Sequence, residues 1–419
     1  MQFVNLKHAQ DRVDFATAVQ RGLGLDRGLY FPAAIEPLAD VPGLLALPFV
    51  ERSARLLAQL TGLSLDLTGA LVEQAFDFPI EQREVADSVH ALELFHGPSL
   101  AFKDFGARFM AACLAEFSRD QPTTILTATS GDTGAAVAHA FHGKAGVRAV
   151  ILYPEGRISP LQEKLFCTLG ENVHTVAVAA DFDHCQALVK DAFEDEVLRT
   201  RIGLNSANSI NVARLLAQVC YYFESVARLQ GQAPVFCVPS GNFGNVTACG
   251  IARALGLPMK RILAATNVND TVPRYLADGH WAPEATVATV TNAMDISRPN
   301  NFPRVEALAR RAGMPISDYL HAVAVSDENT LDALRALDAS GYLADPHSAL
   351  GWQALQGQLA PGEQGVFLCT AHPAKFAEVI EEALSRSVPL PPPLAAVRDK
   401  TVLSARIPAD YSALLAELG

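Results

Sequence analysis

At 419 residues the chain is long enough for two or three domains around at least one large core. Its 33 Lys plus Arg against 45 Asp plus Glu leave a formal charge of -12, which argues against a nucleic-acid or anionic membrane surface as partner, although a local pocket can oppose the global sign for a small anion. The seven cysteines, at 113, 167, 185, 220, 237, 249 and 369, never lie closer than twelve residues, so they read neither as a disulfide framework nor as a zinc knuckle.

The opening "MQFVNLKHAQDRVDF" lacks the basic, apolar and small-residue regions of a signal peptide, and no later run approaches the roughly 18 apolar residues of a membrane span. A reducing, cytoplasmic setting is expected. Residues 1–90 hold helical stretches such as "FVERSARLLAQLTG" and no strand-helix alternation, which predicts a separate, mainly helical N-terminal domain. In "HGPSLAFKDFGARFM", residues 96–110, a helix is predicted with Phe105, Phe109, Ala112 and Cys113 on its buried face. From residue 122 the grammar becomes regular: "PTTILTAT" (strand), "SGDTG" (loop), "AAVAHAFHG" (helix), "VRAVILYP" (strand), "SPLQEKLFCTLG" (helix), "NVHTVAVAA" (strand) and the helical "FDHCQALVKDAFEDEVLR". It returns in "APVFCVP" (strand), "SGNFGN" (loop), "VTACGIARALG" (helix) and "RILAATN" (strand).

Strands alternating with helices imply right-handed crossovers and mostly parallel sheets. The fold class expected is therefore α/β, with two open, mostly parallel sheets and a cleft between them over residues 91–388, where ligands usually sit. Residues 389–419 read as a proline-rich connector, "SVPLPPPL", followed by "ADYSALLAEL", a helix expected to dock back. Nothing in the sequence separates a monomer from a homodimer.

Three features could carry chemistry. Lys103 stands among Leu100, Ala101, Phe102 and Phe105. A surface lysine at a helix start is the ordinary reading, but a dry surrounding lowers an ammonium pKa and frees the amine for Schiff-base chemistry. The loop Ser240, Gly241, Asn242, Phe243, Gly244 and Asn245 has the form of a phosphate cradle, with glycines that allow close backbone approach and a helix N-terminus behind; an ordinary tight turn has the same spacing. In Ser130, Gly131, Asp132, Thr133 and Gly134, a helix start with two hydroxyls could hold a carboxylate, or Asp132 or Ser130 could simply cap the helix. Two anion-suited loops and one dry lysine fit a ligand that carries both a phosphate and an aldehyde, pyridoxal 5'-phosphate. His139 and His142 lie three apart on one helix, but with no third ligand at a useful spacing they read as solvated or packed, and no metal is expected.

"HGPSLAFKDFGARFM", "TSGDTGAA", "LYPEGRISPLQEKLF", "NSANSINVAR", "PSGNFGN", "TNVNDTVPRYL", "NAMDISRPNNFPRVE" and "CTAHPAKF", together with the opening segment, resemble the threonine synthase family over nearly the whole chain. The resemblance implies a fold type II pyridoxal phosphate enzyme that converts O-phospho-L-homoserine and water to L-threonine and phosphate, the last step of threonine biosynthesis. It matches Lys103 to the Schiff-base lysine, Gly241, Asn242, Phe243, Gly244 and Asn245 to the cofactor-phosphate cradle, and Thr370 to the hydroxyl on the pyridine nitrogen. By analogy Ser130, Gly131, Asp132 and Thr133 receive the substrate carboxylate. Asn245 departs from the family, where an aspartate is common; an asparagine still caps a helix and adds no repulsion toward phosphate. For the leaving phosphate, Arg157, Lys164, Arg214, Arg274, Thr133 and Asn211 all remain candidates, and Asp295 and Arg304 have no chemical role from sequence. The alternatives are an O-phosphohomoserine phospho-lyase or another fold type II lyase such as a serine/threonine dehydratase.

Overall fold

The computed structural model describes residues 1–118, 122–129 and 131–419. Two sheets organise it. One has five strands, all parallel, in the order Ala405–Ile407, Val173–Val178, Val147–Pro154, Thr123–Ala128 and Leu204–Asn205. The other has six, in the order His321–Ala324, Arg261–Thr266, Val235–Pro239, Gly365–Cys369, Val89–Glu93 and Glu81–Ala86; only the last pair is antiparallel.

Alternation along each strand sends successive side chains to opposite faces, and in central strands such as Val235–Pro239 and Val147–Pro154 both faces are covered, so they are apolar nearly throughout, whereas the edge strands Glu81–Ala86 and His321–Ala324 are partly exposed. Phe236 and Val238 point into the central core while Val235 and Cys237 point to the outer layer formed with Asp327–Ala339, Pro346–Leu355 and Ala377–Leu384. In the five-stranded sheet Ile151 and Tyr153 face the centre, and Val150 and Leu152 face the layer of Phe182–Glu194 and Tyr411–Leu418. The layers therefore run helix, sheet, shared helices, sheet, helix.

The shared layer is built on Lys103–Phe117. Ten residues of this helix are buried, all within Asp104–Leu114, as expected of a helix packed on every side. It lies against Asp132–Phe141, Val212–Ala217, Leu65–Ala75 and Phe15–Arg21. Gly106 allows the close approach of Val212–Ala217: a Cβ there would stand 2.8 Å from the Arg214 carbonyl oxygen.

The N-terminal segment differs from the expectation. It has four α-helices among its first 80 residues, but Phe3–Asn5 also pairs antiparallel with Arg12–Val13 and Tyr30–Pro32. Phe3, Phe15, Leu56 and Leu71 belong to the same buried cluster as Phe105 and Val238, and residue 90 lies inside a strand of the six-stranded sheet, so the buried cluster runs across the boundary drawn where strand-helix alternation begins. Apolar helix faces too small to form a core of their own are buried against the shared layer instead. Two further elements shift. The long helix expected over 182–199 is split at Asp195, whose carboxylate caps the second piece by accepting from Leu198 N at 2.9 Å. The proline connector runs into a short helix, Pro392–Val397, with proline at its start, where the missing N–H costs nothing. The terminal helix Tyr411–Leu418 buries Leu414 and Leu418, and Arg148 donates to the carbonyls of Glu417 and Leu418 at its end.

Candidate active site

The carboxyl ends of Thr123–Ala128, Val235–Pro239 and Gly365–Cys369 open into one cleft of about 2370 Å³ between the sheets. Three loops follow those strands, and Lys103, Gly131's neighbours Asp132 and Thr133, Gly241 through Asn245, and Thr370 all reach this space. Ser130 lies outside the described residues.

Lys103 opens its helix, and the segment before it is pinned: Leu100 takes positive φ (57°), Phe102 N donates to the Thr370 carbonyl at 2.9 Å, and His372 N donates to the Leu100 carbonyl at 3.0 Å. Lys103 and Thr370 thus come from strand-linked backbone. The Lys103 side chain is 18 % exposed, and its Nζ lies 3.8 Å from Asp132 Oδ2. Burial pulls its ammonium down to about 8; Asp132 opposes that, while Lys375 and Arg214 add to it.

Asp132 begins the helix Asp132–Phe141. The turn before it depends on Gly131, at φ 139°, a region L side chains rarely adopt, and on Thr129, whose hydroxyl accepts from Gly131 N (2.9 Å) and Gly134 N (2.8 Å). Asp132 Oδ1 sits 2.5 Å from Lys375 Nζ, which also donates to the Ser99 carbonyl at 2.8 Å. Burial would raise this carboxyl, but Lys375 and Lys103 outweigh it and hold it near 2. Lys375, buried between Ala374 and Phe376, is the residue sequence reasoning missed; its signal was the one that singled out Lys103, a lone cation in an apolar stretch.

Gly241 to Asn245 wraps from the strand into the helix Gly244–Ala254. A Cβ on Gly241 would meet Met294 Cα at 2.7 Å, and Phe243 stands in the left-handed region at φ 57°. Asn242 ties the loop outward: its Nδ2 donates to Ser209 Oγ (2.5 Å), its Oδ1 accepts from Asn300 N (2.6 Å), and its carbonyl from Asn301 N (3.2 Å). Asn245 Oδ1 accepts from the hydroxyls of Tyr221 (2.5 Å) and Tyr222 (2.6 Å), and its buried Nδ2 has no hydrogen-bond partner among the described residues. This amide and the helix N-terminus are donors suited to an anion.

Of the six candidates for a leaving phosphate, Thr133 and Arg214 line the cleft. Arg214 is buried, donates to Ala207's carbonyl through Nη1 at 2.5 Å, and its Nε has no partner among the described residues; burial lowers its guanidinium to about 10. The others are engaged elsewhere or absent from the cleft lining: Lys164 donates to the Arg398 carbonyl, Arg274 pairs with Asp270 and Glu284, Asn211 caps Val212–Ala217, and Arg157 is not among the lining residues. Asp295 accepts from Asn267, Asn269 and Thr289, which braces the Asn292–Met294 turn against Gly241. Arg304, fully buried, donates to Asn301 Oδ1 and to the carbonyls of Tyr30 and Ile210, joining three segments around the cradle. His139 Nε2 is taken by the Leu165 carbonyl at 2.9 Å, and burial holds this ring neutral, near 4; His142 faces Glu171.

Among the described residues no helix is long and apolar enough to cross a membrane. Residues 78–371 match the family model of pyridoxal-phosphate dependent enzymes, and residues 348–416 match that of the threonine synthase C-terminal region. Over its whole length the chain is 56% identical to the threonine synthase of Haemophilus influenzae, covering 99% of it. Its fold superposes on the crystal structure of threonine synthase from Escherichia coli with a TM-score of 0.94 at 54% identity, covering 100% of this chain and 99% of that one. It superposes equally well, at 0.94 and 30% identity over 100% and 98% of the two chains, on the PLP-bound threonine synthase of Brucella melitensis. With the parallel-sheet architecture and these full-length likenesses together, the chain belongs to the pyridoxal-phosphate dependent enzymes and, within them, to the threonine synthases.

Proposed function

We propose that this chain converts O-phospho-L-homoserine and water to L-threonine and inorganic phosphate in the cytoplasm, with pyridoxal 5'-phosphate held across the cleft. The observation that carries the reading is the convergence, in one cleft, of a lysine that titrates near 8 with the donor-rich start of Gly244–Ala254 and the Thr370 side chain. The residues present fit the cofactor. The cradle leaves no room for a side chain at Gly241, its helix N-terminus and the unpartnered Asn245 amide suit a phosphate, and Lys103 supplies the amine for the aldehyde. When bound there, the cofactor supplies an electron sink for charge that develops on the substrate carbons.

The rest falls to the chain's own groups. An amine with a pKa near 8 is unprotonated in an appreciable fraction at neutral pH, so Lys103 can take a proton from substrate carbon and return it to a neighbouring one. The start of Asp132–Phe141, with Thr133, receives the substrate carboxylate; Asp132 does not repel it because Lys375 already neutralises that charge. Arg214, dry and with a free N–H, holds the leaving phosphate. A neutral threonine at 370 leaves the cofactor ring less electron-withdrawing than an aspartate would, which disfavours amino-group transfer as a side reaction. The test is incubation with O-phosphohomoserine, following phosphate and threonine together. Equal yields support the synthase; phosphate with 2-oxobutyrate and ammonia would identify a phospho-lyase.

A further inference from the structure

Two lysines share one carboxylate in the cleft, and they do so unequally. Lys375 Nζ is 2.5 Å from Asp132 Oδ1, whereas Lys103 Nζ is 3.8 Å from Oδ2. Lys375 is 1 % exposed and is held from its other side by the Ser99 carbonyl, while Gln162 Nε2 donates to Lys375's own carbonyl at 3.0 Å. We propose that Lys375 is a positioning residue that keeps Asp132 from closing onto Lys103, so that the Lys103 amine stays free to attack a carbonyl and to carry protons.

The physical argument is a competition. A buried carboxylate pairs with whatever cation reaches it, and a single contact pair between Asp132 and Lys103 would hold Lys103 as an ammonium. By pairing with Oδ1, Lys375 neutralises the charge of Asp132 and also places a like charge near Lys103; both effects favour the neutral amine. The charged and titratable groups facing Lys103 are Asp132 on Asp132–Phe141, Lys375 on the Pro373–Phe376 turn and Arg214 on Val212–Ala217. Asp104, His139 and His372 feel Lys375, and Asp132 also feels His347. None of these stands between Lys375 and Asp132.

The inference rests on Lys103 being the cofactor-bearing amine, and the experiment separates the two. The purified full-length protein is stripped of its cofactor, and the rate at which visible absorbance returns on adding pyridoxal phosphate is measured from roughly pH 6 to 9. That rate requires the unprotonated Nζ to attack the aldehyde carbon, a C=N bond forming as water leaves. In Lys375→Met the midpoint of the profile moves up by about one unit, which makes capture at neutral pH about tenfold slower; Lys375→Arg restores it. In Asp132→Asn, where no carboxylate remains to be held off, the midpoint moves down, and adding Lys375→Met shifts it by less than the same substitution does in the parent. A Lys375 that acts only as a nearby like charge predicts the same shift in both backgrounds. An unchanged or lowered midpoint in Lys375→Met, or an upward shift of equal size in both backgrounds, overturns the proposal. Covalent capture of the cofactor by Lys103→Ala would instead overturn the assignment of Lys103 itself.

Discussion

A single methyl group on Gly241 tests the cradle. Its Cβ would stand 2.7 Å from Met294 Cα and 2.8 Å from the Met294 carbonyl oxygen, both backbone atoms that no rotamer change can move aside. Ordinary van der Waals contact begins near 3.4 Å, so the loop and the Asn292–Met294 turn must part by roughly 0.7 Å, while Asp295, held by Asn267 and Thr289, resists the movement. Overpacking of this size costs about 1–3 kcal/mol. The strain falls on the segment that presents N–H groups at the start of Gly244–Ala254, so much of it is relieved when the cradle loosens, and cofactor affinity carries the loss. At 1.4 kcal/mol per tenfold, Gly241→Ala is expected to raise the Kd for pyridoxal phosphate by roughly 5- to 150-fold. The assay is an absorbance titration of the stripped protein with the cofactor, beside thermal unfolding of the cofactor-free form. A Kd within twofold of the parent, with unchanged unfolding temperature, would refute the steric reasoning.

Lys103→Ala is expected to give colourless protein that forms no threonine, and Lys103→Arg the same, because a guanidinium does not shed its proton near neutrality; threonine produced at a rate near the parent's would sink the assignment. Arg214→Gln should raise the KM for O-phosphohomoserine by roughly 10- to 100-fold, the value of one charge-assisted hydrogen-bond site, with the cofactor absorbance unchanged. Asp104 is buried, and burial raises its carboxyl from 3.8 to about 6, so the folded state holds the proton more tightly than the unfolded chain does. Its contribution therefore turns against folding as pH rises from about 4 to 6. Asp104→Asn, which keeps an acceptor for Ser99 N, is expected to stabilise the protein at neutral pH by up to roughly 3 kcal/mol and to make no difference below pH 4, read from denaturant unfolding at several pH values. Arg304→Met leaves the carbonyls of Tyr30 and Ile210 without their donor and should cost about 2–4 kcal/mol in the same unfolding measurement; a loss under 0.5 kcal/mol would mean that those carbonyls find other partners.

Three strands of the five-stranded sheet, two of the six-stranded one and the two glycine loops were legible in the sequence because their causes are local, whereas Glu81–Ala86, Val89–Glu93, His321–Ala324, Gly365–Cys369 and the short Leu204–Asn205 and Ala405–Ile407 were not. A parallel strand covered on both faces must be apolar at successive positions, as in "VRAVILYP" and "APVFCVP", and a strand that turns tightly into a helix needs glycine, as at Gly131 and Gly241. Lys103 was legible for the same reason, as a cation set among apolar neighbours. The helix ends were read less well: Asp132–Phe141 and Gly244–Ala254 start before the positions expected, because Gly131 and Phe243, at positive φ, fold the loops directly into their first turns.

What composition and periodicity decided by themselves was the α/β class, the two glycine loops and the dry lysine. What tertiary structure alone decided was which distant side chains share a space. The pairing of Asp132 with Lys375, the two phenols on Asn245, the placement of Arg214 and Thr133 along one cleft, and the merging of the N-terminal helices into the central core all join residues from separate elements. Local propensity acts over a few residues, whereas these contacts are set by how whole layers pack, and no short window of sequence contains that information.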